Sequence, residues 1–325
     1  MPAWTKAVEV ARKNDSPDST LVCYTAFADP DWRIGVVPNG GYVLALIVQA
    51  CIEFQRNTEL PDPLHVSTHY LQPTQASTVE VQLRVLKRGR SFVNILADLV
   101  QGGRTCVTTH MIFGRIPPTT RPIIDPSSGY ARRLPGLAHP SEAVPNSMVT
   151  GFVFSKHVRW AVDPSLQAQN APDSPNRQAT EGGGLAVWGA WIEYKDENER
   201  ITPSSLAFFA DCVETMGHLF PPVITGHETK PWLPTLNLTL EWKAPIPPPS
   251  AMHSGRTVGI YLTSGFLSEP QCRHTTIIEV WTAPSNIGQG TPVEGWRDAQ
   301  VCLGVATQMQ LMVNPSVNAK AGTKL

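Results

Sequence analysis

The stretch VVPNGGYVLALIVQAC (residues 36–51) sets a proline, an asparagine and two glycines directly before a long apolar run. So bare a backbone at the mouth of so apolar a helix has two readings. One is a turn leading into a buried core helix, with the glycine pair allowing close packing. The other is a place where a substrate carbonyl reaches main-chain N–H groups, with Gly40 and Gly41 removing side chains from a helix N-terminus.

Working outward, the apolar run predicts a helix over residues 40–56. Strands follow near 64–72, 77–88, 91–101 and 104–114. STVEVQLRVLKRG and SFVNILADLV alternate apolar and polar residues, as half-exposed strands do, and meet in a hairpin at Gly89. Gly102 and Gly103 mark a second hairpin. A similar order returns later in the chain. SLAFFADCVETMGHLF (205–220) predicts a helix, and strands follow near 235–243, 255–264, 272–282 and 298–313. Pro73 and Pro245 each end the first strand after the helix, 172 residues apart. The same offset sets Asn39 against Asp211, and the final strands set His110 against Gln308. These matches point to an internal duplication of one α+β unit. Proline-rich seams at 115–145 and 170–184 lack hydrophobic periodicity. The first reads as a crossover between units and the second as a mobile loop. The units expected are 1–130 and 131–325, with 115–150 as the linker.

Composition narrows the function. With 42% hydrophobic residues, 16% charged and a formal net charge of −1, the chain is globular and offers no basic face to nucleic acid. Its longest apolar run is too short to span a bilayer. The six cysteines show no CxxC spacing, so neither a zinc site nor a disulfide framework is expected. Free thiols and the lack of a secretory h-region point to the cytoplasm; a peroxisomal location is compatible, though no clear targeting signal argues for it. His65 and His69 lie four apart on a strand, with no third ligand to complete a metal site.

In the first half, NGGYVLALI, LHVSTHYLQP and RGRSF resemble, in order, motifs of the type II acyl-CoA thioesterase family. In the second half, LAFFADCVE, LPTLNLTLEW and ATQMQLM resemble the segments that carry that family's catalytic Asp, Thr and Gln. The resemblance implies a double hotdog fold, with two long helices each wrapped by a curled antiparallel sheet. It implies an acyl-CoA or carrier-bound acyl thioester as substrate, no cofactor, and further assembly into a homo-oligomer. It sets the catalytic residues on Asp211, Thr235 and Gln308.

That set suffices chemically. A carboxylate can deprotonate a water, a hydroxyl and an amide can fix it, and a thiolate leaves without a metal or a covalent nucleophile. Asp211 also stands out on its own, since a carboxylate between LAFFA and CV is rare unless paired or functional. Its alternative is a solvent-facing helix position. Asn39 cannot act as a base, so one working site per chain is expected. Asn39, Gly40 and Gly41 are expected to meet substrate, as are His65 and His110. Arg88 and Arg90, at a hairpin, suit the phosphates of CoA or of a phosphopantetheine, or are simply solvated. A cyclase, dehydratase or isomerase acting on a polyketide or other acyl intermediate, and a silent acyl-binding protein, are the alternatives to hydrolysis.

Overall fold

The computed structural model describes residues 3–13, 21–118, 124–125, 128–147, 151–177, 183–225 and 230–321. Part of each proline-rich seam, and of the loop expected to be mobile, lies outside the described residues. Strands run in chain order as β1 (Val10–Arg12), β2 (Val22–Phe27), β3 (Arg33–Ile34), β4 (Val37–Pro38), β5 (Asp62–Tyr70), β6 (Thr78–Arg88), β7 (Val93–Gln101), β8 (Arg104–Gly114), β9 (Val158–Val162), β10 (Ala186–Tyr194), β11 (Thr235–Trp242), β12 (Thr257–Ser268), β13 (Arg273–Thr282) and β14 (Cys302–Gln310). The helices are α1 (Ala3–Ala7), α2 (Gly40–Gln55), α3 (Pro164–Ala168), α4 (Ser205–Asp211), α5 (Met216–Leu219), α6 (Pro222–Thr225) and α7 (Ser316–Ala321).

β3 and β4 pair as a small separate hairpin. The other twelve strands make one antiparallel sheet in the order β1-β2-β6-β7-β8-β5-β11-β14-β13-β12-β10-β9. From the central β5–β11 pair the order is the same in both directions. At its centre Ser67 faces Thr239, two residues 172 apart. Both flanks bulge at matching places, between Pro63 and His65 on β5 and between Thr235 and Asn237 on β11. Alternation built these strands as the sequence indicated: β7 buries every second residue along its whole length. At the β7–β8 turn, Gly102 and Gly103 both take positive φ, 57° and 75°, as a primed two-residue hairpin turn requires.

α2 is apolar around most of its circumference and lies buried against the sheet, touching β5, β6 and β7. The second helix differs from the expected long one. α4 ends at Asp211, and α5 begins only at Met216. Cys212 leaves helical geometry at φ −92°, ψ 63°. The side chain of Gln308 donates to the Ala210 carbonyl at 3.1 Å, satisfying one of the helix's last unpaired acceptors and fixing its end. So one helix is long and the other is short.

Two sequence correspondences shift, one by a single residue and the other by nine. Val66 pairs with Met111, and Leu238, 172 residues on, pairs with Gln308. Met111 is therefore the counterpart of Gln308, and His110 that of Thr307. Because side chains alternate, this one-residue slip turns His110 to the opposite face, where its Nε2 meets Asn94 Oδ1 at 3.1 Å. The helix starts do not follow the 172 offset either. Asn39 caps α2 by accepting from the Tyr42 N–H, while Thr202 accepts from the Ser205 N–H ahead of α4. In accepting from the N–H three residues on, Asn39 corresponds to Thr202 rather than Asp211, although the residue at the cap of α4 is Ser204.

Candidate active site

The two helices cross where both sequence motifs lie. A Cβ on Gly41 would stand 2.4 Å from the Ala207 carbonyl oxygen and 2.5 Å from Asp211 Cβ, so only glycine permits this approach. The glycine pair thus serves close packing, of helix on helix. It also brings the start of α2 onto the Asp211 carboxylate. Oδ2 accepts from the Gly41 N–H at 2.8 Å and from Asn39 Nδ2 at 2.9 Å. Oδ1 accepts from Gln308 Nε2 at 2.9 Å and from the Thr235 hydroxyl at 3.3 Å.

Four donors converge on this carboxylate, and a helix N-terminus adds a favourable dipole. All of this favours the ionised form. Burial opposes it and wins, pushing the Asp211 carboxyl up to about 6. The group is therefore a base at neutral pH, with its proton affinity poised close by. Burial also raises Tyr70 and Cys212 well above their usual ranges and pushes His218 down to about 4, so these three stay neutral.

Each donor is itself held. Asn39 Oδ1 is committed to the Tyr42 N–H, which leaves its NH2 to face Asp211. Gln308 is 1% exposed and bridges Asp211 to the Ala210 carbonyl. The Tyr70 hydroxyl donates to the Gly40 carbonyl at 2.9 Å. The first-turn N–H of Gly40 has no protein acceptor among the described residues, whereas those of Gly41 and Tyr42 are taken.

Asp211 opens onto a cavity of about 480 Å³ between the two halves of the sheet. Val43, Leu71, Phe152, Trp232 and Leu233 give it apolar walls; Gly40, Tyr70, Thr235 and Gln310 border it near Asp211. Near its mouth Asn318 of α7 ties down the β3–β4 hairpin, accepting from the Val36 N–H at 3.1 Å and donating to the Ile34 carbonyl at 3.1 Å. A partly buried carboxylate facing an apolar chamber suits a substrate with an apolar body and a reactive polar end.

Residues 28–114, which run from before the glycine turn to the end of β8, match the family described as the acyl-CoA thioesterase N-terminal domain. That stretch is similar to an acyl-CoA thioesterase N-terminal domain. No functionally curated sequence matches the chain. Among solved structures, a candidate thioesterase II from Thermobifida fusca YX is 19% identical, with 96% of this chain and 98% of that one covered and a TM-score of 0.70. A hot dog fold protein of unknown function from Alicyclobacillus acidocaldarius is 13% identical, covering 97% and 99%, with a TM-score of 0.65. Acyl-CoA thioesterase II of Mycobacterium marinum is 12% identical, covering 97% and 100%, with a TM-score of 0.61. At such identities the likeness shows a shared hotdog fold along nearly the whole chain.

Within the stretch matched to that family, Asn39, Gly40 and Gly41 lie at the site; Asn39 and Gly41 each donate to Asp211, and the Gly40 N–H has no protein acceptor among the described residues. His65 and His110 are not brought there. His65 sits in the β5–β11 seam opposite Glu241, and burial lowers its affinity for a proton. Arg88 and Arg90 are exposed at the β6–β7 hairpin and do not border the cavity. Sequence reasoning passed over Tyr70 and Gln310. Tyr70 lies inside LHVSTHYLQP, and Gln310 lies inside ATQMQLM, two residues past Gln308 on the same face of its strand. Among the described residues no cluster of three or more His, Cys, Asp or Glu side chains gathers to hold a metal, and no helix is long and apolar enough to cross a membrane. None of the six cysteines is in a disulfide.

A second cavity, of about 400 Å³, lies at matched positions across the centre of the sheet. It is bordered by Asp62 and Pro63 where the first has Pro234 and Thr235, and by Trp242, Pro245 and Ile246 where the first has Tyr70, Pro73 and Thr74. It has no counterpart of Asp211.

Proposed function

We propose that the chain is an acyl-thioester hydrolase built from two hotdog units in tandem, 1–130 and 131–325, joined by the 115–150 crossover. It has one working site, at Asp211. The observation that carries this reading is the carboxylate itself: four hydrogen-bond donors, a proton affinity poised near 6, and an apolar cavity in front. The substrate class is an acyl-CoA or a carrier-bound acyl thioester.

A water bound to Asp211 attacks the thioester carbonyl carbon. As the C–O bond forms, Asp211 takes the water's proton and the carbonyl oxygen becomes an oxyanion. The free Gly40 N–H, at the positive end of α2, is the donor suited to that charge. Collapse breaks the C–S bond and expels the thiolate, which recovers the proton from Asp211. The products are a free acid and a thiol, with the carboxylate restored. Thr235 and Gln308 hold Asp211 in one orientation, so the base is aimed before substrate arrives. No cofactor is needed, since a thiolate departs unaided.

Turnover of short, medium, long and aromatic acyl-CoAs in H2(18)O tests the reaction class. Hydrolysis puts one solvent oxygen into the acid for each thiol released. A product with the acyl group rearranged and no thiol released would instead support a cyclase, dehydratase or isomerase. Binding without any product would leave an acyl-binding protein.

A further inference from the structure

Gln310 occupies β14 directly across from Thr235 on β11 and from His274 on β13. It is 4% exposed and borders the cavity. Its Nε2 donates to Thr235 Oγ1 at 3.4 Å, and the Thr235 hydroxyl in turn reaches Asp211 Oδ1 at 3.3 Å. A hydroxyl has one hydrogen and two lone pairs, and an amide NH2 can only donate. With Gln310 occupying a lone pair, the single Thr235 hydrogen is left for Asp211. The carbonyl end of Gln310 lies beside His274 and makes no full hydrogen bond, while both His274 nitrogens are engaged elsewhere, with Cys272 O and Thr215 Oγ1, each at 3.1 Å.

We propose that Gln310 is a positioning residue that turns the Thr235 hydroxyl toward Asp211, completing the set of donors that orients the base. The proposal rests on the hydrolase reading for its catalytic meaning and on the hydrogen-bond geometry for its substance. The other half of the molecule supports it independently. At the matching positions Thr235 is replaced by Pro63 and Gln310 by Phe113, which pair with each other across the strands. Hydroxyl and amide are present together on one side and absent together on the other.

The test is the titration of the Asp211 carboxyl carbon, followed by 13C NMR in protein labelled at aspartate, with the signal assigned by its loss in Asp211→Asn. Among the described residues the ionisable neighbours are Tyr70 on β5, Cys212, His218 on α5 and His274 on β13, with Lys230 farther along the wall and Glu214 three residues past Asp211. Burial holds Tyr70 and Cys212 neutral and lowers both histidines. Glu214 is raised by its burial.

Gln310→Met removes the donor at similar volume and is expected to raise the Asp211 midpoint by roughly half a unit to one unit. Thiol release at pH 6 should fall about twofold to fivefold, as the ionised fraction of Asp211 drops. Thr235→Val should raise the midpoint at least as much, and Gln310→Met added to Thr235→Val should raise it no further. If the methionine variant does not fold, Gln310→Asn, which retracts the amide by one carbon, carries the same expectation. An unchanged midpoint in Gln310→Met, or an equal further shift in the Thr235→Val background, overturns the proposal. The titration needs no turnover, so a protein that releases no thiol yet shows this pattern sinks the hydrolase reading and leaves the positioning role standing.

Discussion

At matched positions of the sheet the two halves of this protein present different chemistry to the interior. On β13 and β14, near α4, the paired residues are Thr276 with Gln308 and His274 with Gln310. On β7 and β8, near α2, the corresponding pairs are Ile95 with Met111 and Val93 with Phe113. Strand order, bulge position and the flanking cavity repeat, and the polar side chains do not. The frame is thus compatible with either interior, and the candidate site is made by the side chains placed on it. The long helix belongs to the apolar half, yet its first turn supplies two of the four donors to the carboxylate of the other half. The proposed site therefore draws on both halves, with its carboxylate and two of that group's four donors from one.

The contact that joins the halves is the most sensitive. Gly41→Ala sets a methyl group against the Ala207 backbone, and because backbone cannot swing aside we expect a loss of about 3 kcal/mol or more, read as a drop in the denaturant midpoint. Exchanging the matched pair sharpens the comparison. Gln308→Met imports the residue of the apolar half, strips Asp211 and the Ala210 carbonyl of a donor, and should lower kcat roughly 10- to 100-fold in a folded protein. The reverse, Met111→Gln, buries an amide among apolar neighbours; it should destabilise by about 2 kcal/mol in chemical denaturation and leave kcat within about twofold.

The pH profile asks whether the second half's carboxylate governs the rate. Asp211 must be ionised to act, and its raised value lies near 6, so kcat/KM should be level above about pH 7 and fall about tenfold per unit well below 6. An acid limb near pH 4 would mean that another carboxylate is the base. The smallest effect is expected from the first half's exposed hairpin: Arg88→Ala and Arg90→Ala, distant from the cavity lining, should change KM for an acyl-CoA by less than about twofold.

The strands β5 to β8 and β11 to β14 were legible because alternation needs only local sequence, whereas β1, β2, β9 and β10 were not assigned; the α2 boundaries came close because a long apolar run follows a strong turn. The 172-residue offset was legible too, and the pairing of Ser67 with Thr239 at the sheet's centre is its structural trace. Other features depended on distant partners. α4 stops at Asp211 because Gln308, 97 residues away, satisfies its end; no residue near Cys212 signals that break. His110 was set one place wrong because a period of two fixes which residues share a face and leaves the register between strands open. Asp211 was identifiable as a charge in an apolar helix, and Thr235 and Gln308 only through the resemblance. Tyr70 and Gln310 gave no sign, since an aromatic and an amide near strand ends are ordinary residues until a carboxylate is found beside them.

The most direct test of the central claim is free-thiol release from a panel of acyl-CoAs by the native protein and by Asp211→Asn, measured side by side. The structure predicts release by the native protein on at least one acyl-CoA and a loss of about 10³-fold in the variant, with the fold retained. Equal release by both proteins would contradict the assignment of Asp211 as the base.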